Sequence, residues 1–130
     1  MFTLQDIDAA HAHVKTGADF PRYAQTVKTL GVQRYESFVI DGHTEYFGVD
    51  GYRIMSDAKH PVLQIADESN SEQLLERLAA HQRGETDYLQ FSKDVAAAGA
   101  EKWVIDLQEM TCTYYDKQGH SLHQEKIPSV

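Results

Sequence analysis

Residues 19–51, DFPRYAQTVKTLGVQRYESFVIDGHTEYFGVDG, and residues 87–119, DYLQFSKDVAAAGAEKWVIDLQEMTCTYYDKQG, are two copies of one pattern in ungapped register. All five aromatics of the second stretch fall on aromatics of the first: Phe20/Tyr88, Tyr23/Phe91, Tyr35/Trp103, Tyr46/Tyr114 and Phe47/Tyr115. Asp19/Asp87, Val27/Val95, Gly31/Gly99 and Gly51/Gly119 are identical in the same register. In the first copy Phe20, Tyr23, Val27 and Leu30 recur at three- and four-residue steps, Asp19 stands at the N-cap with Pro21 in the first turn, and Gly31 closes the helix. Strands follow at Arg34 to Ile40, at His43 to Phe47 after the hairpin signal Asp41-Gly42, and at Tyr52 to Ser56 after Asp50-Gly51. The second copy repeats this, with a helix from Asp87 to Ala98 and strands at Lys102 to Gln108, Thr111 to Asp116 and His120 to Glu125.

Outside the copies two further helices are expected. Thr3 with Asp6 forms a short capping box for a helix presenting Leu4, Ile7, Ala10 and Val14, stopped by Thr16-Gly17. Between the copies, Ser69-Asn70-Ser71 with Glu72 starts a helix whose buried side is read as Leu74, Leu75, Leu78 and Ala79. An αβββ unit of this size cannot bury its own apolar face, so two copies should share one core. The expected fold is two-layer α+β, a duplicated αβββ unit (about 18–60 and 86–128) in one domain over 1–130, with helices covering an antiparallel sheet. Whether six strands make one sheet or two is not fixed by this pattern.

Composition narrows the function classes. A net charge of −8 and a pI near 5.2, with basic residues scattered, exclude the usual footprint of a nucleic-acid binder. One cysteine, Cys112, forbids an intrachain disulfide and suits a reducing compartment, so a cytoplasmic location is expected. The N-terminus lacks the basic flank and apolar run of a signal peptide, and no apolar stretch reaches membrane-spanning length. No P-loop, dinucleotide fingerprint, nucleophile elbow or zinc spacing occurs, and no cofactor or metal is expected.

The second copy carries a recognisable run: His81 to Tyr88, Phe91, Gly99, Lys102 to Asp106, Met110 to Asp116, Gly119, and Glu125 to Pro128. It resembles the YdfO-like family, uncharacterised bacterial and prophage-encoded proteins often labelled "phage envelope protein". The resemblance implies an α+β domain of this size and carries over no activity, cofactor or catalytic residue. Members often have cysteine where this chain has Ser92 and valine where it has Ala100.

Positions that break the repeat are the candidates for chemistry. Asp106 stands where the first copy has Phe38, and Cys112 where it has Thr44. A carboxylate and a thiol on neighbouring strands could act as base and nucleophile; His81 and His123 are the candidate bases for the thiol, though no spacing brings either within reach, and the Gly84 turn sets His81 beside Asp87. The bland readings are a solvated strand face for Asp106, a small buried hydrophobe for Cys112, and a helix corner for His81 and Asp87. Trp103, Tyr114 and Glu125 are the candidate binding residues, the two aromatics being core first. The leading expectation is an accessory protein that binds another protein or a second copy of itself through its sheet face or edges. The alternative is a small-molecule-binding protein or enzyme using a cleft between the two units, with Asp106, Cys112 and His81 as its polar groups.

Overall fold

A computed structural model of the chain describes residues 1–15 and 19–128. The elements run α1 (Leu4–His11), α2 (Phe20–Leu30), β1 (Arg34–Phe38), β2 (Thr44–Phe47), β3 (Arg53–Met55), α3 (Ser71–Gln82), α4 (Tyr88–Ala97), β4 (Lys102–Asp106), β5 (Thr111–Tyr115) and β6 (Ser121–Lys126). The strands form one antiparallel sheet in the order β3-β2-β1-β4-β5-β6. The fold is α+β, and the sheet is single.

The duplication is visible in the register. β1 and β4 pair at the centre, with Tyr35 opposite Ile105, Glu36 opposite Val104 and Ser37 opposite Trp103. Tyr35 and Trp103 are repeat equivalents, as are Ser37 and Ile105, so a pseudo-twofold axis passes through the Glu36–Val104 pair. Each unit also begins with its own extra helix: α1 packs on α2, and α3 packs on α4. The N-terminal and linking helices are therefore counterparts, and the unit is ααβββ.

Local chemistry explains most boundaries. Thr3 accepts from the Asp6 N–H while Asp6 accepts from the Thr3 N–H, the expected capping box. Asn70 and Asp87 cap α3 and α4 through their side chains. Asp19 differs: its carboxylate accepts from the Lys15 N–H and makes no capping bond to α2, because its own backbone is already helical (φ −85°, ψ −8°). Helix α1 ends at His11, before Val14 of its expected apolar face, and the expected Thr16-Gly17 stop lies outside the described residues. Leu75, expected in the core, is 44% exposed, whereas Leu74 and Leu78 are buried.

Alternation along the strands puts Tyr35, Ser37, Thr44, Tyr46, Ile105, Cys112 and Tyr114 on the helix side, all buried. The other face carries Arg34 stacked over Phe47 (3.9 Å) and Lys102 bonded to Glu36 (2.8 Å). One core cluster spans both units, from Val27 and Tyr35 to Val95 and Ile105. Each fully buried aliphatic side chain contributes about 1.5–3 kcal/mol. The segment from Ile65 to Asn70 straps the end of α4: the Ala66 N–H donates to the Ala96 carbonyl (2.9 Å) and the Asn70 N–H to the Ala98 carbonyl (2.8 Å).

Candidate functional site

Extensive helix–helix packing is within each helical pair, and a cleft of about 780 Å³ opens between the pairs over the centre of the sheet. Both units line it symmetrically. The central strands supply Tyr35 and its equivalent Trp103, and the next strands out supply Tyr46 and Tyr114. Helices α2 and α4 supply Phe20, Tyr23, Tyr88 and Phe91. Eight aromatic rings, four from each copy, thus enclose one space.

The first helices complete the symmetry with a histidine each. His11 meets Tyr23 edge-on (5.3 Å between centroids), and His81 stacks on Phe91 (4.2 Å), the repeat equivalent of Tyr23. Desolvation is the main cause that lowers both imidazole pKa values below the ordinary 6.5. Lys59 reinforces the effect at His11 against Asp8; Thr86, Asp87 and Asp94 oppose it at His81. His81 Nδ1 lies 3.1 Å from both the carbonyl and the hydroxyl oxygen of Thr86, which tie the ring to the start of α4.

Tyr23, Tyr35, Tyr46 and Tyr114 are 93% or more buried, and their hydroxyls meet only one another and their neighbours, Tyr23 with Tyr46, Tyr46 with Thr44 and Tyr114 with Cys112, at more than ordinary hydrogen-bond length among the described residues. None of those oxygens is sealed from solvent; the sealed polar side-chain atom without a partner is His60 Nε2. Buried polar groups are almost always satisfied, so these hydroxyls open onto the cleft with capacity to spare. Burial is the leading cause that holds all four phenols above the ordinary tyrosine range, so they are neutral donors and acceptors. Deeper in the floor, Ser37 Oγ and Thr44 Oγ1 lie 3.2 Å apart.

The structure brings five of the six candidate residues to this cleft: His81, Trp103, Cys112, Tyr114 and Glu125. Cys112 pairs with Ile105 in register and shares its face. Its thiol is pushed up to about 12, chiefly by burial, so it is not a ready thiolate. Glu125 lies opposite Cys112 and is held at both oxygens, accepting from Gln82 Nε2 (3.0 Å) and lying 3.3 Å from His123 Nε2. Asp106 is not brought there. One residue beyond Ile105, it points to the opposite face, and its carboxylate accepts from the Gln108 and Glu109 N–H groups (2.9 and 3.1 Å), shaping the β4–β5 turn. Ser92 is fully buried in α4 and donates to the Tyr88 carbonyl (3.0 Å).

Sequence reading missed His11, Ser37 and Thr44, and treated the matched tyrosines as core. A signal was present: tyrosine, rather than phenylalanine, occupies several core-periodic positions, and a buried hydroxyl needs a partner. Among the described residues no cluster of three or more His, Cys, Asp or Glu could hold a metal ion, and no helix is long and apolar enough to cross a membrane. No curated protein matches the chain. A family model described as a protein of unknown function (DUF1398) matches residues 8–126, nearly the whole of both units, and the chain belongs to that family.

Proposed function

We propose that this protein binds a small, planar, conjugated molecule in the cleft between its two units. The observation that carries the reading is a ring of aromatics around about 780 Å³, bearing tyrosine hydroxyls whose contacts with one another are longer than ordinary hydrogen bonds. That volume lies within the usual range of small-molecule sites, which combine apolar walls with a few convergent polar groups. Stacking on flat rings favours a flat ligand. The protonated thiol of Cys112 and the tethered Glu125 favour binding over nucleophilic catalysis.

In this proposal the chain acts as one domain in the cytoplasm, and the resemblance to the YdfO-like proteins gives it a prophage setting. Self-association is a second reading, favoured by β6, a six-residue edge strand with one unpaired side. Trp103 is the single tryptophan and lines the cleft, so its emission reports occupancy. Titration with 2-naphthol, a flat probe, should quench Trp103 saturably, and a Tyr35→Ala variant that retains its fold should weaken the effect. Linear, non-saturating quenching in both proteins would count against a binding site.

A further inference from the structure

The two halves of the cleft are built from equivalent positions but differ in polarity. At the five equivalent positions that form floor and wall, the first unit presents Tyr23, Tyr35, Ser37, Thr44 and Tyr46, every one a hydroxyl. The second unit presents Phe91, Trp103, Ile105, Cys112 and Tyr114, with one hydroxyl, one indole N–H and a weakly bonding thiol. Phe20/Tyr88 is reversed, but Tyr88 is 39% exposed, far from sealed in the floor.

Counting donors sharpens the contrast. Ser37 and Thr44 are cross-strand partners whose hydroxyls share one hydrogen bond, which uses one of their two protons. The backbone N–H of Thr44 is already taken by Ser56 Oγ (2.9 Å). The hydroxyl of Tyr46 interacts with those of Thr44 and Tyr23 without a bond of ordinary length. The first half therefore holds a row of hydroxyl protons and lone pairs with no fixed acceptor or donor. In the second half Glu125, opposite Cys112, is engaged by Gln82 and His123, and the positions equivalent to the first-half hydroxyls offer mainly hydrocarbon, sulfur and ring faces to a ligand.

We infer that the cleft binds its ligand in one orientation, with a hydroxyl- or carbonyl-bearing end on the Ser37, Thr44, Tyr46 and Tyr23 hydroxyls and an apolar aromatic end against Ile105, Cys112, Phe91 and Trp103. This rests on the binding reading above and adds the ligand's class, an aromatic with oxygen at one end. Two hydroxyl orientations are available to such a row, so it can donate to a carbonyl or accept from a phenol.

The test compares 2-naphthol with 2-methylnaphthalene, which differ by a hydroxyl in place of a methyl group, by Trp103 emission. Wild type should bind 2-naphthol about 2- to 10-fold more tightly, as one or two net hydrogen bonds allow. In the shape-conserving double variant Ser37→Ala, Thr44→Val that preference should fall towards one, with binding of 2-methylnaphthalene retained; Cys112→Ala should keep the preference. Circular dichroism and a urea midpoint check folding, and Tyr46→Phe, which removes one hydroxyl alone, serves if the double variant does not fold. A preference that survives both the double variant and Tyr46→Phe, or that is lost equally in Cys112→Ala, overturns the orientation while leaving binding intact. If neither probe binds wild type, the binding reading itself falls, and the orientation with it.

Discussion

Alanine at Gly99 should destabilise the protein far more than alanine at Gly31, its equivalent in the first unit. Both glycines follow the second helix of their unit with positive φ, +108° at Gly31 and +91° at Gly99, so an added Cβ carries a backbone penalty of about 1–2 kcal/mol at either site. Their surroundings differ. At Gly31 the nearest atom to a new Cβ is Phe2 Cδ2 at 3.7 Å, an ordinary contact. At Gly99 the Cβ would lie 2.7 Å from Ser69 Cα and 2.9 Å from the Glu68 carbonyl oxygen, both backbone atoms of the strap. That strap is held by the Ala66 and Asn70 N–H groups on the end of α4, so relief requires moving a bonded segment and adds about 1–3 kcal/mol. Gly31→Ala should cost about 1–2 kcal/mol in total and Gly99→Ala about 2–5 kcal/mol. Urea unfolding followed by far-UV circular dichroism measures both, and each kcal/mol moves Tm by roughly 3–5 °C at this size. Equal losses at the two sites would refute the argument that the strap, rather than the turn alone, fixes Gly99.

Other outcomes follow from the cleft. Cys112 in the native protein should react with Ellman's reagent orders of magnitude more slowly than free cysteine at pH 8, since a thiol pushed up to about 12 is almost wholly protonated; a rate like that of free cysteine would contradict its placement. His11 and His81 have folded pKa values below the unfolded 6.5, so the unfolded chain binds more protons in that window. Stability should therefore fall as pH drops through about 6.5, and be level above it with respect to these groups. A His81→Gln variant should show a shallower slope in urea midpoints, and an unchanged slope would exclude His81 as a contributor. Asp106→Ala should cost about 1 kcal/mol through loss of the turn bonds to Gln108 and Glu109, with 2-naphthol affinity unaltered; weaker probe binding in a folded variant would return Asp106 to the site.

The repeat made the fold readable. Periodicity at Phe20, Tyr23 and Val27, the Asp41-Gly42 turn and the matched glycines report local preferences that the tertiary structure keeps. The site was less legible for a reason that lies in its symmetry. Searching for residues that differ between copies favours Asp106 and Cys112, but a cleft on a pseudo-twofold axis is walled by residues that match, such as Tyr46 and Tyr114. His11 escaped for a related cause. The connection from His11 to Phe20 is two residues longer than that from His81 to Tyr88, so an ungapped register does not superimpose the two histidines. Asp106 was misleading because facing in a strand alternates: one position from Ile105 sends the carboxylate to the other side of the sheet. The full meaning of the matched positions emerges only when the register joins Ser37 to Thr44 and sets Tyr35 beside Ile105.

The central claim, that a flat ligand enters the cleft between the units, is tested most directly by mapping amide chemical-shift changes in the ¹⁵N-labelled protein as 2-naphthol is added. The account predicts saturable shifts clustered around Tyr35, Thr44, Tyr46, Trp103, Cys112 and Tyr114, drawn from both units at one shared affinity. Shifts confined to the open sheet face around Phe47, Val104 and Tyr115, or none up to the solubility limit of the probe, would contradict it.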